Sequence, residues 1–180
     1  LAAAGQVRAS LAAHAPYSVA PGVFRALRRL LDEGRFAPCS VHVAEAAEEL
    51  EFLLGGDGPW RDLLEALGVW DPAWVPPGVG PVQYLDDIGF LDDRVLAVHG
   101  VQMSDGDLAR LAARGAALVT CPRSNAHTGA GAPPLERFYA SGVCVAVGTD
   151  SLASAPDLNL FSELSLMREL APAVPAAKLL

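Results

Sequence analysis

Three of the four histidines in this 180-residue chain stand at, or just past, the ends of short apolar runs. His14 follows Val7–Ala13, His42 lies near the end of Cys39–Ala44, and His99 closes Val95–His99. The run Ala117–Cys121 leads into Cys121-Pro-Arg-Ser-Asn125, and Val143–Val147 leads into Gly148-Thr-Asp150-Ser151. Imidazole and carboxylate are donor types that suit zinc or iron, and a catalytic metal site keeps one position open for water. Glu45 sits three residues past His42. A carboxylate there can reach a metal-bound water and move its proton. Taken singly, each feature has an ordinary explanation. An acid such as Glu45 suits a helix N-terminus, a lone His99 serves often as a hydrogen-bonded structural residue, and any strand-to-helix turn accepts Gly-Thr-Asp-Ser. Together, four successive strands ending in His, His, the Cys-Pro-Arg-Ser-Asn run and Asp are hard to explain by packing.

What must bring these residues together is an alternation of strand-like runs with amphipathic helices. Helical stretches are expected at Pro21–Glu33, Ala46–Leu54, Trp60–Leu67, Ser104–Ala113, Leu135–Ser141 and Leu158–Leu170. Ser104 with Asp107 three residues on reads as an N-terminal cap, and Gly34, Gly115 and Gly142 stand where helices should end. Buried strands alternating with helices imply a parallel sheet, because parallel neighbours need crossovers. The carboxyl ends of such strands share one face, so the polar residues would converge there. A doubly wound sheet and a TIM-type barrel both satisfy this pattern. No Gly-x-Gly-x-x-Gly or Walker-type loop follows a strand, which argues against a phosphorylated ligand on a doubly wound sheet.

The remaining features are expected to be structural. Residues 55–81 read as an irregular excursion whose Trp60, Trp70 and Trp74 either pack it or line a pocket lid. His127 is placed in a solvated loop near a pocket, Cys121 is expected to be a buried thiol, and Glu48, Glu49 and Glu51 a solvated helix face.

Composition narrows the class. Lys and Arg number 13 against 21 Asp and Glu, a formal charge of −8, and 52% of residues are hydrophobic. A nucleic-acid binder would show a basic stripe, and attachment to anionic membrane would call for clustered Lys and Arg. No apolar run reaches the roughly 18 residues of a membrane span. Cys39, Cys121 and Cys144 form no CxxC pair and no disulfide framework. A reducing, cytoplasmic setting and a small-molecule substrate are the expectation. The start at Leu1 lacks a signal-peptide layout, and a homo-oligomer is left open.

In this order, His14-Ala-Pro-Tyr-Ser18, Val41-His-Val-Ala-Glu45, Val98-His-Gly100, Cys121-Pro-Arg-Ser-Asn125 and Gly148-Thr-Asp-Ser151 resemble the amidohydrolase superfamily. The likeness is greatest to its aminohydrolase branch, which includes S-adenosylhomocysteine/methylthioadenosine deaminases, aminofutalosine deaminases and triazine chlorohydrolases. The resemblance implies a (β/α)8 barrel with one divalent metal, zinc before iron. His42 and Asp150 would match metal ligands. Glu45, His99 and Asp150 would match the catalytic groups, with Glu45 the proton shuttle, and His14 and Glu45 would contact substrate. The family's first-strand His-x-His pair has no counterpart in this sequence. Residues 1–180 are therefore expected to be the C-terminal part of a barrel, roughly strands 4–8, inactive alone. The expected reaction is hydrolytic deamination of an aminated purine nucleoside derivative of the aminofutalosine or S-adenosylhomocysteine type. Triazine dechlorination or deamination, or a non-catalytic truncated barrel used only for association, are the alternatives.

Overall fold

The computed structural model describes residues 9–34 and 38–179. Among them, five strands form one sheet: β1 (Leu11–Ala13), β2 (Cys39–Val43), β3 (Val95–His99), β4 (Ala117–Thr120) and β5 (Cys144–Val147). All neighbours are parallel, and the spatial order is the order of sequence. That order decides between the two architectures the alternation allows. A doubly wound sheet reverses its strand order at a switch point, whereas a barrel wall lays each strand beside the last. The sheet is barrel wall, and the fold is α/β, a partial (β/α)8 barrel.

Every crossover is helical. α1 (Pro21–Asp32) joins β1 to β2, and α2 (Ala47–Gly55), α3 (Pro59–Ala66) and α4 (Pro81–Asp87) lie between β2 and β3. α5 (Asp105–Arg114) precedes β4, α6 (Pro122–Thr128) and α7 (Leu135–Ala140) precede β5, and α8 (Leu160–Leu170) and α9 (Ala176–Leu179) follow it. Four of these helices open on proline, which fixes a helical φ and lacks the N–H that a first turn leaves unpaired. Strand and helix ends fall within two residues of the sequence expectation, except at the first strand, where Val7 and Arg8 lie outside the described residues. Two corrections follow. The excursion ends at a helix, α4, that the sequence reading lacks. The segment after the fourth strand is α6 rather than a loop, so His127 is an exposed helical residue. The glycine stops hold: Gly34, Gly115 and Gly142 all have φ between 70 and 80°.

The core lies between the sheet and its helices. Phe24 and Leu31 of α1, Leu85 of α4, Leu108 and Leu111 of α5, Phe138 of α7 and Met167 of α8 pack on Val41, Val43, Val95, Ala97 and Leu118. Each fully buried side chain of this kind contributes about 1.5–3 kcal/mol. At the N-terminal end of β3, Arg94 pairs with Asp92 and, at 2.9 Å, with Asp32, while Arg28 reaches Asp92 at 2.9 Å. These ion pairs tie α1 to the strand on the end opposite the histidines. No helix among the described residues is long and apolar enough to cross a membrane.

Candidate active site

The strand ends do converge. The His14 ring lies 5.4 Å from that of His42, and the His42 ring 5.1 Å from that of His99. His99 Nε2 is 3.5 Å from Glu45 Oε2, so the His-x-x-Glu acid faces the third histidine rather than solvent. Asp150 completes the set, its charge acting on both His99 and Glu45.

Local backbone geometry makes this possible. Among the described residues, the non-glycine positions with positive φ are Ala44 (51°), His99 (79°) and Asp150 (59°). Such a conformation costs an L-residue roughly 1–2 kcal/mol, and strain of this kind concentrates where function over-determines the backbone. All three sit where a strand gives way to its loop. At His99 the consequence is direct. Strand alternation pairs it with Val43, a helix-side position, and the turned backbone lets the imidazole lie against His42 while remaining 1% exposed. Gly100 follows with φ 69°, and a Cβ there would meet Leu118 Cδ1 at 2.8 Å.

A polar scaffold holds the candidate groups. Asn125 Nδ2 donates to His99 Nδ1 at 3.1 Å, which leaves Nε2 as the protonated nitrogen toward Glu45. Ser124 Oγ and Ser154 Oγ lie 2.6 and 2.8 Å from Asp150 Oδ2, and the Ser151 N–H donates to Oδ1 at 2.8 Å. His14 Nδ1 is 2.5 Å from Ser18 Oγ. Ser124 and Asn125 share α6, and the buried Glu163 of α8 accepts from the Arg123 N–H at its start at 3.0 Å.

These contacts set the charges. Burial, reinforced by the Asp150 carboxylate, holds Glu45 above the ordinary carboxyl range. Burial and the neighbouring His42 press His99 down to about 4, so it is a neutral imidazole at pH 7. Burial raises Asp150, but the serine hydrogen bonds outweigh it and keep this group a carboxylate. Cys121, 1% exposed and pushed up to about 12 chiefly by burial, is an inert thiol, as expected from the sequence.

One sequence expectation is overturned here. Glu48 and Glu51 are exposed, but Glu49 is 1% exposed and accepts from the Glu45 N–H at 3.0 Å. Burial lifts its pKa to about 8. The helical phase of α2 turns that one glutamate inward. The tryptophans divide: Trp74 stacks on Phe52 at 4.7 Å with Trp70 against it, whereas Trp60 stacks on Tyr17 at 4.3 Å beside the site. A cavity of about 330 Å³ opens next to Glu45, bounded by Tyr17, Trp60 and Thr128. Ser124 and Asn125 belong to a motif the sequence singles out, as do their partners Asp150 and His99, but Ser154, the other partner of Ser124, does not. Ser154 and Glu163 carry no sequence signal of their own, whereas Trp60 lines the pocket, one of the two places the sequence reading allows it.

His42 and Asp150 have the right donor chemistry for a divalent cation, and Asp150 has the supporting hydrogen bonds that metal-bound carboxylates take. Among the described residues no group of three or more His, Cys, Asp or Glu side chains is placed to hold a metal ion. Zinc sites use three or four protein ligands, so these two fit as part of a larger set.

Comparison with known proteins follows the same lines. The profile of the family described as "Amidohydrolase family" matches residues 2–178. An aminodeoxyfutalosine deaminase from Deinococcus radiodurans is 41% identical over 175 residues, 92% of this chain and 41% of that protein. Aminofutalosine deaminase from Helicobacter pylori, solved with methylthio-coformycin, superposes with TM-score 0.79 at 29% identity, over 94% of this chain and 42% of its own. An adenosine deaminase from Xanthomonas campestris with bound zinc gives TM-score 0.73 at 32% identity, over 91% and 33%. The chain thus spans less than half the length of each.

Proposed function

Because the chain belongs to the amidohydrolase family, we propose that it forms the proton-handling part of a metal-dependent deaminase acting on an aminated purine nucleoside derivative. In this reading residues 1–180 are the C-terminal portion of the barrel, and further metal ligands come from outside them. The observation that carries it is the gathering of His42, His99, Glu45 and Asp150 at one rim of the sheet. Aminodeoxyfutalosine is the preferred substrate, on the 41% identity to the Deinococcus enzyme of that name.

The chain's own groups divide the work. His42 and Asp150 would hold the cation, zinc by analogy with the Xanthomonas structure. When bound, such a cation supplies a water acidified toward neutrality. Asp150, kept ionised by its serines, would orient that water and take up its first proton. Glu45, raised by burial, would give its proton to the ring nitrogen, regain one that leaves the added hydroxyl once Asp150 has returned its own to the reacting centre, and pass a proton to the departing amine, so that ammonia leaves neutral and both carboxyls end as they began. His99, neutral and with Nε2–H fixed by Asn125, donates a hydrogen bond where negative charge develops. His14, exposed and steadied by Ser18, contacts the substrate at the mouth.

The test is ammonia release by the full-length protein from aminodeoxyfutalosine, S-adenosylhomocysteine and an amino-triazine. Turnover of a purine nucleoside supports the proposal, and turnover of none overturns it. Glu45→Gln should keep its metal and lose at least about 100-fold in kcat. Normal turnover in that variant would remove Glu45 as the proton shuttle.

A further inference from the structure

Glu45 is weakly held by its own side chain. Its carboxyl oxygens lie 3.5 Å from His99 Nε2 and 3.4 Å from Thr128 Oγ1, both long contacts. Its backbone N–H, by contrast, donates to Glu49 Oε2 at 3.0 Å. We propose that Glu49 is a positioning residue: through the main chain of Glu45 it fixes where the catalytic carboxyl stands. The proposal rests on the reading of Glu45 as proton shuttle.

Helix capping alone does not explain the arrangement. A third-position glutamate ordinarily reaches back to the N-cap amide, while a Ser or Thr N-cap answers it. α5 has that device in full, with Ser104 and Asp107 satisfying one another on the surface. In α2 the N-cap is Ala46, which offers no side-chain acceptor. Glu49 bypasses it and bonds the residue before, Glu45. It does so while 1% exposed, with Oε1 finding no hydrogen-bond partner among the described residues. Burying a carboxyl costs far more than an exposed cap, so local helix stability is a poor reason for its place. The turn it braces contains Ala44 at φ 51°, a conformation that relaxes unless held. The Ala44 backbone also lies close enough to stabilise the charged form of that carboxyl. Two peptide units between His42 and α2 are thereby pinned, and Glu45 leaves them at a set angle toward His99.

The role needs an acceptor oxygen at full reach, not a charge. Neutral at pH 7, Glu49 accepts through its carbonyl oxygen, and glutamine offers the same atom at the same distance. Aspartate keeps the charge but falls one methylene short. In the metal-loaded full-length protein, Glu49→Gln should therefore hold kcat within about three-fold, while Glu49→Asp loses about ten-fold or more with KM and metal content little changed. Residue-resolved hydrogen exchange should show the Glu45 amide exchanging at least about ten-fold faster in Glu49→Asp, with Phe52 in the interior of α2 unmoved. If Glu49→Asp does not fold, Glu49→Met, which fills the space without an acceptor, takes its place with the same expectation. Native kcat and a protected Glu45 amide in the shortened variant would overturn the proposal. So would equal losses in Gln and Asp, or a loss confined to KM. Should the wild type release no ammonia from any of the three compounds, the functional reading falls, and the exchange comparison alone decides whether Glu49 anchors Glu45.

Discussion

His99 shows how much one backbone angle decides. Its φ of 79° places an otherwise core-facing residue against His42 and Glu45. Asn125 then chooses its tautomer by donating to Nδ1. Asn125→Leu, similar in volume but without the donor, should lower kcat of the full-length enzyme about ten-fold with little change in KM, read by steady-state ammonia release. Unchanged kcat would mean that the tautomer is set elsewhere. Glu49 carries a pH signature of its own. Its pKa in the fold is about 8 against an ordinary 4.5, so the native state keeps a proton that the unfolded chain gives up. Stability from this group is complete below the ordinary value and is lost as pH rises through that of the fold. The urea midpoint of the wild type should fall between about pH 5 and about pH 8.5, and that of Glu49→Gln should fall less, because an amide does not titrate. Parallel slopes would contradict the buried neutral carboxyl.

Helix starts are built in more than one way. α5 carries a reciprocal cap, Ser104 accepting from Asp107 N–H and Asp107 accepting from Ser104 N–H, then stops at Gly115. Ser104→Ala should cost about 1 kcal/mol, seen as a lowered thermal midpoint, and leave kcat and KM untouched because the Ser104 hydroxyl bonds only Asp107 among the described residues. A change in KM would show that α5 shapes the cleft. α2 and α6 have no side-chain cap, and buried acids serve their starts: Glu49 the turn before α2, and Glu163 the first turn of α6. α6 in turn supplies Ser124 to Asp150 and Asn125 to His99, so one short helix holds two of the candidate groups.

As a whole, the sheet has two outer edges. β1 and β5 are each paired on one side among the described strands, and β5 leaves Cys144 and Ala146 exposed. In the segment that follows β5, Leu152 is 67%, Leu158 58% and Phe161 78% exposed. Unpaired parallel edges and contiguous apolar surface promote association. The isolated 180-residue chain is therefore expected to gain mass with concentration in light scattering and to show no turnover, for want of further metal ligands. A strictly monomeric chain, or one that deaminates unaided, would contradict this.

The sequence by itself determined the alternation of strand and helix, the parallel sheet that crossovers impose, and the candidate residues His14, His42, Glu45, His99 and Asp150 at strand ends. Those follow from local properties: hydrophobic period, turn chemistry and the position of a polar residue at a strand end. Tertiary structure decided the rest. Strand order separated barrel wall from doubly wound sheet, because that is a matter of which strands pair. Helical phase against the sheet drew Glu49 out of an apparently solvated run and into the core. Ser154, Glu163 and Trp60 reach the site across 30, 40 and 43 residues respectively, to Ser124, Arg123 and Tyr17. Contacts of that span exist only once the chain has folded, since no local pattern encodes which distant side chain a buried polar group will meet.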